Sequence, residues 1–107
     1  MSVKPIRRRA LADADVQDAL RYYVEQDAPQ AALAFIDAIE QALAHIQRHP
    51  ATGSSRCAHA LDLPGLRHWG CKKFPYLVFY VEHPDYIDVW RILHEQRDIP
   101  AWLQQDN

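Results

Sequence analysis

The chain has no membrane-length apolar run, no glycine-rich loop, no internal repeat and no overall charge of one strong sign. Each absence removes a class of function. Phe74 to Val81 is apolar but far too short to span a bilayer. The opening Met1-Ser2-Val3-Lys4-Pro5 lacks the apolar core of a signal peptide, so nothing there directs export and the cytoplasm is the expected location. In that compartment Cys57 and Cys71 are expected to stay reduced. No Walker motif and no Ser-His-Asp spacing occurs, and no cofactor is expected. Cys57-x-His59 and His68-x-x-Cys71 supply two thiolates and two imidazoles, yet neither spacing is that of a common structural zinc site. No metal is expected.

What is present fits one soluble domain spanning residues 1–107, with 49% apolar and 24% charged residues. The formal charge of −2 hides an uneven distribution. Residues 1–12 carry +4 and residues 13–49 carry −5. Residues 56–73 return to +3 through Arg56, Arg67, Lys72 and Lys73, and the remainder carries −4. A dedicated nucleic-acid binder is usually basic throughout. This chain has room only for local basic patches.

Val3 to Arg9 is a short strand candidate whose arginines suit an exposed edge. Helical spacing begins near Ala10, with Val16, Leu20 and Tyr23 recurring at four and three residues and Ala12, Ala19 and Val24 alongside. Asp13 and Asp15 suit a helix N-terminus. Asp27-Ala28-Pro29 breaks the pattern, and Pro29 fits the first turn of a second helix. That helix runs through Leu33, Ile36, Ile39, Leu43 and Ile46 until Pro50 and Gly53 stop it. So short a link makes the pair an antiparallel hairpin. Thr52 to Ser55 reads as loop, and Leu63-Pro64-Gly65 as a turn.

Leu66 to Cys71 is a weak strand candidate that either stands alone or merges with the next one. The run from Phe74 to Val81 reads as a strand buried on both faces. After the His83-Pro84-Asp85 turn, Ile87 to His94 returns antiparallel. Alternation puts Ile87, Val89, Arg91 and Leu93 on one face, with Asp88, Trp90, Ile92 and His94 on the other. Asp98 to Leu103 is a short tail anchored by Trp102 and Leu103. The expected fold is α+β: an N-terminal strand, an antiparallel two-helix hairpin, about three antiparallel strands and the tail.

Four ordered segments resemble the RelE/ParE toxins of type II toxin–antitoxin pairs, the ParE branch above all. Asp18-Ala19-Leu20-Arg21-Tyr22-Tyr23 is similar to the first-helix motif. Ile46-Gln47-Arg48-His49-Pro50-Ala51-Thr52-Gly53 resembles the exit of the second helix. Leu63-Pro64-Gly65-Leu66-Arg67 followed by Phe74-Pro75-Tyr76 resembles the approach to the central strand. Arg91 to Asp98 resembles the C-terminal signature.

The resemblance implies a growth-inhibiting toxin, and the family holds two mechanisms on one fold. The nuclease branch cuts messenger RNA on the ribosome, and the ParE branch poisons DNA gyrase. For a nuclease, Lys72, Lys73 and Arg97 would hold the phosphate while His94 moved the proton. The central strand, Tyr76 to Tyr80, lacks the arginine that branch carries, and Arg91 faces away from His94 by alternation. Gyrase is therefore the expected target, with ribosome-bound mRNA the alternative. The catalytic residues stay unassigned.

The resemblance also implies a cognate antitoxin, encoded beside the toxin, whose C-terminal segment folds on binding and whose dimerisation makes a heterotetramer. Tyr22, Tyr76, Tyr80 and Trp90 are expected anchors, since all four cannot be buried in one small core. Arg56, Arg67, Lys72, Lys73, Arg91, His94 and Arg97 complete the expected binding set for target or antitoxin, with Arg91 at the surface.

Overall fold

The computed structural model describes residues 3–104. Met1 and Ser2, part of the opening discussed above, lie outside the described residues. Strand β1 (Ile6–Arg8) leads into helix α1 (Ala10–Glu25) and helix α2 (Pro29–Arg48). A 3₁₀ turn (Pro50–Thr52) and a short helix α3 (Arg56–Leu61) follow. Strands β2 (Leu66–Gly70), β3 (Tyr76–Glu82) and β4 (Ile87–His94) then lead to helix α4 (Ile99–Leu103). The sheet order is β1-β4-β3-β2. β2, β3 and β4 pair antiparallel, and β1 joins β4 in parallel with Ile6 opposite Ile87. This is the expected α+β arrangement, with β1 shorter than its sequence suggested and β2 a strand of its own.

Local chemistry accounts for the hairpin. Two residues beyond the end of α1 at Glu25, Asp27 has a left-handed φ of 54°, a conformation aspartate tolerates better than most side chains. The amide of Ala28 then closes on the Tyr23 carbonyl at 3.0 Å. Pro29, at the first turn of α2, has no amide to leave unpaired there.

The hairpin covers one face of the sheet. Ala12, Ala19, Phe35, Ile39, Ala42 and Ile46 pack against Val78, Tyr80, Ile87, Val89 and Ile92. Phe35 is fully buried and alone stabilises the fold by about 1.5–3 kcal/mol through area removed from water. The buried stripe of α2 differs from the expected one. Ala32, Phe35, Ala38, Ile39, Ala42 and Ile46 face inward, leaving Leu33 69% and Ile36 38% exposed. Alanines let the helix lie close to the sheet, which a stripe headed by Leu33 and Ile36 would hold further off.

The opposite face is covered by α3 and α4. Leu66, Phe79, Leu93 and Leu103 form its centre, flanked by Cys57, Leu61, Trp90 and Trp102. The helix α3 replaces what the sequence left unassigned after Ser55.

Strand β4 also departs from simple alternation. Phe79 lies opposite Arg91 and Tyr80 opposite Val89, so Trp90 is the extra residue of a β-bulge. Beyond it the faces exchange. Ile92 joins Ile87 and Val89 in the hairpin-side core, while Leu93 and Trp90 join the other one.

Candidate functional site

A concavity of about 530 Å³ opens between α1 and the ends of β3 and β4. Asp15, Asp18 and Tyr22 line it from α1; Tyr76, His94, Arg97 and Trp102 line it from the sheet side. Helical spacing explains the first group, since residues three and four apart share a face. The last pair of β3 and β4, Tyr76 opposite His94, supplies the second.

The floor is a buried ion pair. Arg91 donates to both Asp15 oxygens, Nη2 at 2.6 Å and Nε at 2.8 Å, while the Ile92 amide donates to Asp15 at 3.0 Å. A third guanidinium bond reaches the Trp102 carbonyl at 2.9 Å and ties α4 to the sheet. Arg91 is only 4% exposed, which corrects the surface placement expected for it. A buried guanidinium must be paired, and the carboxylate for it comes from a residue read only as helix-start chemistry. One signal was available: Asp15 falls three residues from Ala12 and four from Ala19, inside the apolar stripe of α1.

An aromatic wall runs from the hairpin to the cleft. Phe35 meets Tyr76 edge-on at 4.9 Å, and Tyr76 meets His94 at 5.3 Å. Tyr22 and Tyr23 make a T-shaped pair at 5.4 Å. Burial raises the Tyr76 phenol above its ordinary pKa, and Tyr23 adds to this while Arg97 opposes it. The phenol therefore stays protonated at neutral pH. Arg97 lies over the Trp102 ring at 4.4 Å.

His94 accepts a hydrogen bond on Nδ1 from the Gln96 amide at 3.1 Å. A neutral ring held this way carries its proton on Nε2, so the lone pair that a general base needs is already occupied. On the α1 side, Asp18 pairs with Arg21 at 3.2 Å. Among the described residues, Arg97 is then the one lysine or arginine lining the cleft, since Arg91 is buried beneath it.

The remaining sequence-predicted residues lie elsewhere. Lys72 borders a smaller depression with His45 and Trp69 beside β2, and Lys73 is exposed at φ 68° on the turn into β3. Arg67 donates to the Gly53 carbonyl at 2.8 Å, and exposed Arg56 begins α3. Trp90 lies under Arg9, whose guanidinium is 4.5 Å from the ring centre. Tyr80, expected to be an accessible anchor, is 0% exposed and donates to the Pro50 carbonyl at 2.7 Å. The core absorbs it because Gly53 leaves room for its hydroxyl. The structure therefore brings Tyr76, His94 and Arg97 together, and separates them from both lysines. No group of three or more His, Cys, Asp or Glu side chains among the described residues is placed to hold a metal ion.

Comparison with known proteins agrees with this architecture. A family model described as "ParE toxin of type II toxin-antitoxin system, parDE" matches residues 6–99. A solved chain of the chromosomal ParDE TA system from P. aeruginosa superposes with a TM-score of 0.71 at 21% identity, over 86% of this chain and 96% of that one. None of the curated proteins matches the sequence.

Proposed function

This chain belongs to the ParE toxin family of type II toxin–antitoxin systems, and from that premise we propose that it arrests growth by acting on DNA gyrase rather than by cutting RNA. The observation that supports this reading most is the state of His94. Its Nδ1 lone pair is engaged by the Gln96 amide, so it is poorly arranged to remove a proton from a ribose hydroxyl. The cations a phosphoryl transition state needs are also dispersed, with Lys72 beside β2 and Arg91 spent on Asp15. A half-apolar cleft with aromatic walls suits a segment of protein better than a phosphodiester. Purified toxin added to gyrase is expected to abolish supercoiling and accumulate cleaved DNA complexes. Full supercoiling at stoichiometric toxin would overturn the target.

The convergence of Tyr76, His94 and Arg97 on one cleft favours the second reading, a ribosome-dependent endoribonuclease. Primer extension on translated mRNA separates the two. New cleavage sites that vanish in a His94→Ala, Arg97→Ala double variant would establish the nuclease; intact transcripts during arrest would remove it.

An adjacent antitoxin is the proposed partner, in a heterotetramer built on antitoxin dimerisation, and both act in the cytoplasm. Among the described residues no helix is long and apolar enough to cross a membrane. Tyr22, Val24, Leu33 and Ile36 are the large apolar residues that the two helices leave exposed, which favours the hairpin as the antitoxin's seat. Tyr76 and Trp90, partly exposed, remain as sheet contacts. Co-expression with the neighbouring small gene is expected to restore growth and to co-purify the pair. Harmlessness of the chain alone, with no such partner, would count against the toxin function.

A further inference from the structure

Ten of the twelve lysines and arginines of this protein divide into two populations, and the other two, Arg7 and Arg97, lie over the rings of Tyr86 and Trp102. Lys4, Arg8, Arg9, Arg21 and Arg91 are each paired with a carboxylate. Among the described residues, none of Arg48, Arg56, Arg67, Lys72 and Lys73 makes such a pair. All five fall within residues 45–73, where Asp62 is the single acid and four of the six histidines, His45, His49, His59 and His68, also lie.

The fold gathers this segment around the open edge of the sheet. β2 is the edge strand, α3 packs on one side of it, and the C-terminal end of α2 packs on the other. Arg56 is close enough to His68 to lower its pKa, adding to the effect of burial. Lys72 and His49 act in the same sense on His45. A positive surface that pays its own repulsion without carboxylates is arranged for an anion brought from outside.

Two features decide which anion. The outward amide and carbonyl of His68 are already bridged by Ser54, at 2.9 Å in both directions. An acidic peptide therefore cannot add to this edge as a further strand. Trp69 is stacked against His45 at 3.9 Å with the rings 14° from parallel. That face is unavailable for an unpaired base, which removes the stacking platform a single strand would need. What remains is recognition by side-chain cations alone, along a strand of five residues, about 17 Å at the usual rise per residue. Duplex backbone is read in this way, through phosphates and without base contacts.

We propose that the β2 edge is a docking surface for the phosphodiester backbone of duplex DNA. The surface is independent of the cleft between α1 and β4; the choice of DNA over RNA duplex rests on the gyrase reading.

The test uses the purified toxin with no gyrase present, so its result and that of the supercoiling assay can differ. Fluorescence anisotropy with a labelled DNA duplex is expected to show binding that weakens linearly on a log–log salt plot. Five phosphate contacts correspond to a slope near −4.5, at about 0.9 per contact. The Arg56→Ala, Lys72→Ala, Lys73→Ala variant removes exposed side chains only, and circular dichroism verifies its fold. It is expected to bind at least tenfold more weakly at moderate salt, with the slope reduced by about 2.7. Lys4→Ala, Arg8→Ala should bind like the parent. Absence of binding at low salt, or a slope unchanged in the triple variant, would overturn the proposal. So would tighter binding to duplex RNA, or equal competition by an oligoglutamate of the same charge.

Discussion

Asp15 and Arg91, on the first helix and the last strand, form a two-point ion pair whose side chains are 7% and 5% exposed. The pair joins α1, β4 and, through the Trp102 carbonyl, α4. Asp15→Ala would leave a dry guanidinium without its counter-charge, a loss of about 3–5 kcal/mol. Urea denaturation should show it as a lowered midpoint. Replacing both residues with apolar ones, Asp15→Leu with Arg91→Met, should recover part of the loss. Equal stability of Asp15→Ala and parent would contradict the burial described.

Gly53 has its own requirement. A Cβ there would run into the Tyr80 hydroxyl and lie 3.0 Å from the His68 carbonyl. Gly53→Ala should therefore cost about 1–3 kcal/mol by overpacking. Tyr80→Phe should relieve that clash while losing the bond to Pro50, at about 1 kcal/mol by itself. The double variant is then expected to be less destabilised than the two losses added, measured as a double-mutant cycle.

Stability should also fall on mild acidification. His68 has its pKa lowered from 6.5, first by burial and then by Arg56, and its buried Nδ1 finds no hydrogen-bond partner among the described residues. The unfolded chain thus takes up the proton more readily than the folded one. The contribution is fully present above about pH 6.5 and is lost as pH falls through the lower folded value. His45, whose pKa is lowered first by burial and then by His49 and Lys72, acts in the same sense. Urea midpoints between pH 7.5 and 5.5 should decline, and His68→Gln should flatten the decline. A midpoint that rises on acidification would contradict the sign.

The Cys71 thiol is predicted to be inert. Burial pushes its pKa up to about 11. At pH 8 on the order of one thiol in a thousand is then ionised, and the thiolate is the reactive species. Labelling by a thiol reagent at that pH should be slow in the folded protein and fast in denaturant. Rapid stoichiometric labelling of Cys71 without unfolding would be inconsistent with this environment.

The elements were legible wherever a local chemical cause marks them. Pro29 and Asp27 mark the hairpin, Pro50 ends α2, and His83 to Asp85 turns β3 into β4. What escaped depends on partners distant in sequence. Leu33 and Ile36 recur at helical spacing as well as Phe35 and Ile39 do, and only the sheet opposite decides which pair is buried. The bulge at Trp90 is a mismatch between two strands, so neither strand carries it alone. α3 is six residues long, too short for a periodic pattern. Tyr76, His94 and Arg97 stand out in the sequence by type and position, and the fold places all three at one cleft. The burial of Arg91 is not legible locally, because its carboxylate lies on the first helix, and adjacency in sequence says little about which side of a turn Lys72 and Lys73 face.

The parallel pairing of β1 with β4 bears on how this chain is born. β4 is an interior strand and the last to be synthesised, yet it is the partner of β1 and the main support of α1. Until residues 87–94 leave the ribosome, the first helix has neither its sheet nor the guanidinium that neutralises Asp15. Contacts so far apart in sequence close slowly, and translation at about 5–20 residues per second adds seconds before they can begin. The cleft is therefore assembled only after residues 87–94 have emerged, and the nascent chain carries none before then.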